Sequence, residues 1–220
     1  MFHVHLVGMK CGVDEAGRGS VLGPLVVGAV YSDSDEVLVD IGVKDSKKLS
    51  PNTRERMYDR IADVCEFCFV PISAEKIDEK RKTISLNEIE LEMFVEACSK
   101  FPVSEVYADC PDVNESAFSK EMERVMAGPK IIAKHKADDV FPIVSAASII
   151  AKVTRDRMIS DIQKEFGADI GSGYPSDRCT MEFIEKWIKD NGCPPPHTRC
   201  SWEPVRQMIT VSKNTRISDW

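Results

Sequence analysis

The fold is decided by residues 13–31, whose sequence is VDEAGRGSVLGPLVVGAVY. The apolar stretch Leu25–Tyr31 predicts a β-strand, and Val4–Val13 predicts an earlier strand that ends at Asp14. Between them, Gly17–Gly23 is rich in glycine, which is typical of a loop. The pattern therefore predicts two early strands joined by a loop, with acidic side chains where the first strand ends.

Downstream of this region, strand and helix patterns alternate. A third strand is predicted over Val37–Val43, and Ser50-Pro51 predicts the start of a helix that runs to about Val64, because Ser caps helices and Pro suits their first position. Further strands are predicted at Phe67–Ile72, Val103–Ala108 and Ile131–Ala133, and further helices from Ser85 to about Lys100, at Phe118–Met126, Pro142–Phe166 and Thr180–Asn191, and near Pro204–Ile209. This order predicts an α/β fold with a mixed sheet and helices on both faces.

Composition and charge restrict the class of protein. With 220 residues, 43% hydrophobic and 30% charged, the chain fits one α/β domain with a small appendage. No apolar run has the ~20 residues of a membrane helix, and the N-terminus does not resemble a signal peptide, so we expect a cytoplasmic protein. The net charge of −7 argues against avid general binding to nucleic acid. Local basic clusters, each of which could equally be a solvated face, occur at Lys44, Lys47 and Lys48, at Lys130, Lys134 and Lys136, and at Lys152, Arg155 and Arg157.

The eight cysteines do not form the pattern of a disulfide framework or a zinc site. Without a secretory signal they are expected to be reduced thiols. Cys65 and Cys68 have the C-x-x-C spacing, but no second such pair exists, so core packing is favoured. A zinc site at Cys193, His197 and Cys200 is disfavoured because the prolines between the first two indicate a structural loop.

Acidic residues stand at three separate positions where a predicted strand ends or a helix begins. Asp14 and Glu15 follow the first strand, Asp109 follows a later strand, and Asp138 precedes the long helix. Strand ends are where sites form in sheets of this kind, so these segments can converge. Adjacent strand residues point to opposite faces, so Asp14 and Glu15 can share a site only if regular strand geometry ends there.

Clustered carboxylates would need cations. Two of them ~4 Å apart repel by about 4 kcal/mol at an effective dielectric constant near 20. Oxygen ligands suit Mg²⁺ or Mn²⁺, and two such ions suit hydrolysis of a phosphodiester by in-line attack of water. Taken singly, each of these acids is more simply a helix cap or a solvent-facing residue.

Several motifs occur in one order along the chain. They are Asp14-Glu-Ala-Gly-Arg-Gly19, Gly23-Pro-Leu-Val-Val27, Lys44-Asp-Ser-Lys-Lys-Leu49, His135-Lys-Ala-Asp138, Val144-Ser-Ala-Ala-Ser-Ile-Ile-Ala-Lys152 and Gly171-Ser-Gly-Tyr-Pro175. Together they resemble those of ribonuclease HII, the type 2 ribonuclease H, in its archaeal form. The resemblance implies a ribonuclease H-like fold with a mixed five-stranded sheet flanked by helices, a catalytic domain over residues 1–170, and a C-terminal helical extension and tail over 171–220.

The resemblance also implies an activity and a catalytic site. The family's members are endonucleases that cut the RNA strand of RNA–DNA hybrids, including single ribonucleotides in DNA, leaving 5′-phosphate and 3′-hydroxyl ends. The cofactor it implies is Mg²⁺ or Mn²⁺. Its catalytic, metal-binding carboxylates fall on Asp14, Glu15, Asp109 and Asp138, where Phe141-Pro142 sets the register in favour of Asp138 rather than its neighbour.

Substrate contacts are implied by the same resemblance. Gly17, Arg18, Gly19 and Tyr174 would contact the RNA–DNA junction, since glycines allow the backbone close to a ribose and its 2′-hydroxyl marks RNA. Lys47 and Lys152 would contact phosphates. Tyr174 could instead be a loop aromatic that covers the core.

Rival interpretations share some of these features. Another nuclease of the same fold, such as a junction resolvase or an integrase, would have the acids without the Gly-Arg-Gly and Gly-Tyr-Pro motifs. Ribonuclease HIII has an added N-terminal domain, for which the acidic pair at Asp14 leaves no room. A non-catalytic hybrid-binding protein would have no use for clustered carboxylates. We expect a monomer.

The C-terminal tail resembles a shortened sliding-clamp-binding peptide. Such peptides place an amide residue, an aliphatic residue and an aromatic residue three positions apart, and Asn214, Ile217 and Trp220 have this spacing. One 3₁₀ turn would bring the last two to one side, where they could fill an apolar pocket. The alternatives are that Trp220 folds back onto the body of the protein or that the tail frays.

Overall fold

The computed structural model describes residues 8–43 and 49–218, with side chains described up to residue 212. The chain packs as two compact units, neither of which is continuous in sequence. The sheet unit contains the chain up to Ala16, Val26–Val70 and Asn87–Thr154, and the helical unit contains Gly17–Leu25, Pro71–Leu86 and the chain from Arg155 onward. The domain boundary at residue 170 remains a prediction.

A five-stranded mixed sheet forms the centre of the sheet unit. Its strands are β1 (Lys10–Ala16), β2 (Leu25–Ser32), β3 (Glu66–Ile72), β4 (Glu105–Asp109) and β5 (Lys130–Lys134). Their order in the sheet is β3-β2-β1-β4-β5. Strand β1 is antiparallel to β2 and parallel to β4, which is in turn parallel to β5. The predicted α/β class and mixed five-stranded sheet are confirmed.

Helices make up most of the remaining regular structure. They are α1 (Glu36–Ile41), α2 (Pro51–Val64), α3 (Ala74–Lys80), α4 (Leu86–Cys98), α5 (Glu115–Met126), α6 (Ala137–Val140), α7 (Pro142–Phe166), α8 (Arg178–Asn191) and α9 (Glu203–Ser218). Helix α2 begins as the sequence predicts, because the Ser50 side chain accepts a hydrogen bond from the backbone N–H of Thr53. Among the described residues, the helices lack an apolar stretch that could cross a bilayer.

Two glycines allow the start of α7 to pack directly on the sheet. A Cβ atom at Gly28 of β2 would lie 2.7 Å from the carbonyl oxygen of Ala147, and one at Gly12 of β1 would collide with the carbonyl of Ile143. The helix contributes most of a buried apolar cluster that also contains Val30 of β2. Larger residues at these glycines would push α7 off the sheet.

The helical unit has its own apolar core. The fully or nearly buried members of that core come from the glycine-rich loop, from the second part of α7, from the loop that follows it, and from α8 and α9; they are Val21, Leu22, Ile159, Ile162, Ile170, Ile184, Ile188 and Val205. Backbone hydrogen bonds hold the loop in place, from Val21 N to Gly173 O at 2.8 Å and from Gly23 N to the carbonyl oxygen of His197 at 2.8 Å. The loop is thus part of a packed unit.

Several sequence-based assignments are wrong, and the following affect the site and the tail. Strand β1 does not end at Asp14 but continues to Ala16, which pairs with Val26 of β2. The Val37–Val43 segment forms helix α1, which ends at Gly42 in the left-handed conformation. Helix α9 extends to Ser218, beyond the predicted end near Ile209.

Candidate active site

Three buried or half-buried carboxylates meet at one end of the sheet. Asp14 lies on β1, Asp109 is the last residue of β4, and Asp138 lies in α6. The two strands are parallel neighbours with Val13 opposite Ala108, so the next residues on each strand come side by side. One carboxylate oxygen of each aspartate lies within 4.8 Å of the others. We call this group the acidic cluster.

The turn after β5 brings Asp138 to the acidic cluster. Lys136 adopts a left-handed backbone conformation, and the backbone N–H of Ala137 donates a hydrogen bond to Asp109 Oδ1 at 3.1 Å. Asp138 is buried, whereas the neighbouring Asp139 is exposed. The geometry therefore favours the same residue of this pair that the motif spacing selects.

Burial and mutual repulsion dominate the electrostatics of the cluster. Loss of solvent, and next the negative charge of Asp109, raise the pKa of Asp14 to about 7. A hydrogen bond from Ser148, the positive charge of Lys152 and the backbone N–H of Glu15 act in the opposite direction. Since the pKa remains far above the usual carboxyl range, the protein's own donors do not offset the accumulated negative charge.

Lys152 stands beside this cluster on α7. Its Nζ donates a hydrogen bond to Ser148 Oγ at 2.9 Å, one helical turn earlier. Because both side chains lower the pKa of Asp14, this face of α7 stabilises the ionised form of the site. The second part of the motif Val144–Lys152 therefore places a hydroxyl group and a positive charge next to the acidic cluster.

Glu15 does not belong to the group of converging carboxylates. Among the described residues, the acidic cluster is the one set of His, Cys, Asp or Glu side chains close enough to hold a metal ion, and Glu15 is outside it. Glu15 pairs with Val27 as a regular residue of β1, and its part in the site stays a prediction. Cys193, His197 and Cys200, which are all described, do not form such a group either.

Within the helical unit, one buried arginine connects the glycine-rich loop with the tyrosine loop. Arg155 of α7 is 2% exposed. Its guanidinium donates hydrogen bonds to the carbonyl oxygens of Pro24 at 3.3 Å and Ser172 at 3.1 Å. It also lies 4.6 Å from the centre of the Tyr174 ring, and a side chain at Gly17 would collide with it. Gly17 and Tyr174 therefore both pack against Arg155.

A second buried arginine, in the segment before α9, also bonds to the glycine-rich loop. Arg199 is fully buried, and it donates to the carbonyl oxygens of Arg18 at 3.0 Å and Gly23 at 3.2 Å. Burial, and next the positive charge of Arg155, lower the pKa of Arg199 to about 9, which still leaves it protonated at neutral pH. We call Arg155 and Arg199 the arginine pair.

The sequence-based interpretation missed the arginine pair. It placed Arg155 in a basic cluster that could be a solvated face, and it did not single out Arg199. The helical spacing contained a usable signal, because Arg155 lies on the same face of α7 as Ile159 and Ile162, which are both buried. For Arg199, no local pattern indicates burial.

The sequence is similar to that of known proteins over most of its length. A family model described as Ribonuclease HII matches residues 11–205. The chain belongs to the ribonuclease HII family. The ribonuclease HII of Methanospirillum hungatei is 44% identical over 213 residues, covering 96% of this chain and 100% of the relative. Members of this family are divalent-metal-dependent endoribonucleases, and this chain is a ribonuclease H of that type.

Solved structures of the family have the same fold. The crystal structure of the ribonuclease H2 from Pyrococcus horikoshii superposes with a TM-score of 0.87 at 41% identity, covering 93% of this chain and 99% of that one. The structure of a PCNA:RNase HII complex from Archaeoglobus fulgidus gives a TM-score of 0.85 at 41% identity, with coverages of 90% and 96%. The predicted ribonuclease H-like fold is thereby confirmed.

Some residues expected in this ribonuclease HII chain's site or tail lie outside the described part of the structure. Lys47 falls in residues 44–48, and Trp220 follows the last described residue. The backbone of Asn214 and Ile217 continues helix α9, but their side chains are not described. Their roles remain predictions.

Proposed function

We propose that this enzyme cleaves the RNA strand of RNA–DNA hybrids and also cuts at single ribonucleotides within DNA. The products are expected to carry 5′-phosphate and 3′-hydroxyl ends. The observation that carries the proposal is the acidic cluster, in which three carboxylates converge despite their mutual repulsion. Membership of the ribonuclease HII family supports the choice of substrate.

The donor set of the acidic cluster fits a hard divalent cation. Its three ligand groups are carboxylates, and burial together with the charge of Asp109 keeps the pKa of Asp14 raised although Lys152 lowers it. Mg²⁺ and Mn²⁺ both prefer such oxygen ligands. We propose that Asp14, Asp109 and Asp138, with Glu15 as a fourth carboxylate, hold one or two of these ions. Bound there, the metal would activate water and stabilise the leaving 3′ oxygen.

The chain's own residues would orient the substrate. Gly17, Arg18 and Gly19 are proposed to contact the ribose at the RNA–DNA junction, with Tyr174 against the next sugar. Support comes from the packing of Gly17 and Tyr174 on Arg155 and from the hydrogen bond between Arg199 and the Arg18 carbonyl, since a preformed pair of loops loses less entropy when it binds. Lys152 and Lys47 are proposed to bind phosphates, and Lys152 has the charge and half-buried position that this role requires.

A sliding clamp is the proposed protein partner. The solved complex of PCNA with the Archaeoglobus ribonuclease HII supports this for a protein 41% identical to this chain. The proposed contacts are Asn214, Ile217 and Trp220. Titrating a peptide of residues 210–220 into the organism's own clamp tests the idea, and absence of binding together with clamp-independent activity of the full chain would rule it out.

Cleavage mapping tests the activity itself. One substrate is a DNA duplex with a single ribonucleotide, and the other is a continuous RNA–DNA hybrid of the same sequence. We expect cuts on the 5′ side of the ribonucleotide in the presence of Mg²⁺ or Mn²⁺ and none after chelation. Cleavage of the hybrid alone would restrict the proposal to long RNA stretches.

A further inference from the structure

The helical unit contains an open groove of about 450 Å³ that includes Arg18 and Gly19 but none of the three aspartates of the acidic cluster. Residues from the glycine-rich loop, from the end of α3, from the start of α4 and from the segment around the start of α9 line it: Arg18, Gly19, Arg81, Leu86, Ser201, Trp202, Glu203 and Arg206. We propose that this groove binds a backbone phosphate of the nucleic-acid substrate through Arg81 and Arg206. The inference rests on the proposed function, which supplies the polyanionic ligand.

Charge is the first argument. The groove is lined by three arginines and one glutamate, whereas the whole chain has a net charge of −7. A local excess of positive charge on an acidic protein attracts a polyanion to that place and to few others. Phosphates neutralised by Arg or Lys dominate the affinity of most proteins for nucleic acids.

Arg81 is held in position before any ligand arrives. Its guanidinium lies 4.7 Å from the centre of the Trp202 ring, and its Nη1 donates to Ser201 Oγ at 3.5 Å. The Ser201 hydroxyl in turn donates to Asp78 Oδ1 at 2.6 Å. Asp78 also accepts the backbone N–H of Cys200 at 2.6 Å. These contacts hold the side chain in place while the residue as a whole remains exposed, which suits bidentate binding of a phosphate.

Trp202 supports the arginine rather than a nucleobase. The guanidinium of Arg199 also lies over its ring, at 4.9 Å from the centre. With two guanidinium groups at its π-system, the ring offers little surface for base stacking. The ligand class that fits the groove is therefore the phosphate backbone, which carries no sequence information.

Arg206 supplies the second cation from α9. Its side chain is 65% exposed, and its nearest anion is Glu203 of the same helix at 3.7 Å. An exposed ion pair of this spacing contributes little to stability. A phosphate can therefore replace the Glu203 carboxylate as the partner of Arg206 with little loss of free energy. Arg206 lies at the groove without being needed for the fold.

Binding measurements at several salt concentrations test the proposal. The probe is a fluorescent DNA duplex with one ribonucleotide, titrated with full-length enzyme in a chelator so that no cleavage occurs. We expect Arg81→Ala and Arg206→Ala each to weaken binding several-fold and to reduce the slope of log affinity against log salt by about one for each phosphate that the variant no longer neutralises. Arg178→Ala is the matched control, since Arg178 is in the same unit, has an 89% exposed side chain and does not line the groove. The control should bind and cleave like the wild type.

Other outcomes would contradict phosphate binding in the groove. Unchanged affinity and salt slope in Arg206→Ala, whose side chain is too exposed to affect folding, would overturn the proposal, as would equal losses in the Arg178→Ala control. Steady-state cleavage adds a second measurement, in which KM should rise more than kcat falls for the groove variants. If the wild type cleaves but the groove variants bind normally, only this inference fails; if the wild type cleaves no ribonucleotide-containing duplex, the proposed function fails.

Discussion

The acidic cluster in the sheet unit and the arginine pair in the helical unit are both buried groups of like charge, yet they have different surroundings. One carboxylate oxygen from each of the three aspartates lies within 4.8 Å of the other two. Arg155 and Arg199 instead direct their N–H groups to backbone carbonyl oxygens of the glycine-rich and tyrosine loops. Burying charge is costly in both cases.

The difference shows what each group is suited to do. Carbonyl oxygens satisfy the donors of an arginine and cannot take up its proton. At neutral pH the arginine pair therefore holds the glycine-rich loop and the tyrosine loop together. Carboxylates repel one another, and the pKa of about 7 places Asp14 at the edge of protonation. A cation would relieve that repulsion, so the acidic cluster suits a bound metal whereas the arginine pair suits a positioning role.

The largest expected effect is the loss of a metal-binding carboxylate. Asp109→Asn should lower the rate of cleavage by at least about a thousand-fold, which corresponds to ~4 kcal/mol of transition-state stabilisation. Folding should survive because one of several repelling charges is removed. The exposed neighbour Asp139 provides the control, and Asp139→Asn should retain wild-type turnover in Mg²⁺. Near-normal activity of Asp109→Asn would contradict the proposed site.

A substitution in the arginine pair should lower the stability of the fold, whereas one in the acidic cluster should lower activity and leave the fold intact. Arg199→Met leaves the carbonyls of Arg18 and Gly23 without their donor, so we expect a loss of about 2–3 kcal/mol in the free energy of unfolding. Urea denaturation measures this, with Arg178→Ala as the exposed control. If Arg199→Met were more stable than the wild type, the arginine pair would be strained in the same way as the acidic cluster and the comparison would break.

Stability of the metal-free protein should decrease as the pH rises from about 5 to 7.5. The pKa of Asp14 is about 7 in the folded state against an ordinary value of 3.8 for an aspartate carboxyl, so the folded state binds more protons over this range. Each pKa unit corresponds to about 1.4 kcal/mol, and about two units separate pH 5 from the folded-state pKa, so we expect a loss of about 2–3 kcal/mol. Asp14→Asn should flatten the profile measured by thermal unfolding in a chelator. An identical slope in both proteins would exclude Asp14 as its source.

The smallest expected effect concerns the ring supported by Arg155. Tyr174→Ala should slow cleavage at a single ribonucleotide by about ten-fold, equivalent to ~1.4 kcal/mol, and should affect long hybrids less. Tyr174→Phe retains a ring at the same position and should stay closer to the wild type. Equal losses on both substrates would argue against a role for Tyr174 at the junction.

Much of the site could be predicted because its residues lie in short sequence motifs at strand ends and before a helix. Asp109 and Asp138 were expected at a strand end and before the long helix, and both lie in the acidic cluster. The end of β1 shows the limit of this approach. Whether β1 ends at Asp14 depends on its pairing with β2, which continues through Ala16 and Val26, and a strand's own sequence does not specify the register of its partner.

The amino-acid sequence by itself determined the α/β class, the glycine-rich loop, the order of the acidic motifs and the resemblance to ribonuclease HII, because these depend on residue types and on spacing along one chain. Only the tertiary structure decided that α7 packs closely over Gly28, that Asp14 has a raised pKa, and that Arg155 and Arg199 are buried. The physical reason is that burial, repulsion and hydrogen-bond partners are set by atoms far apart in sequence. Arg199, for example, donates to Arg18 O from 181 positions away.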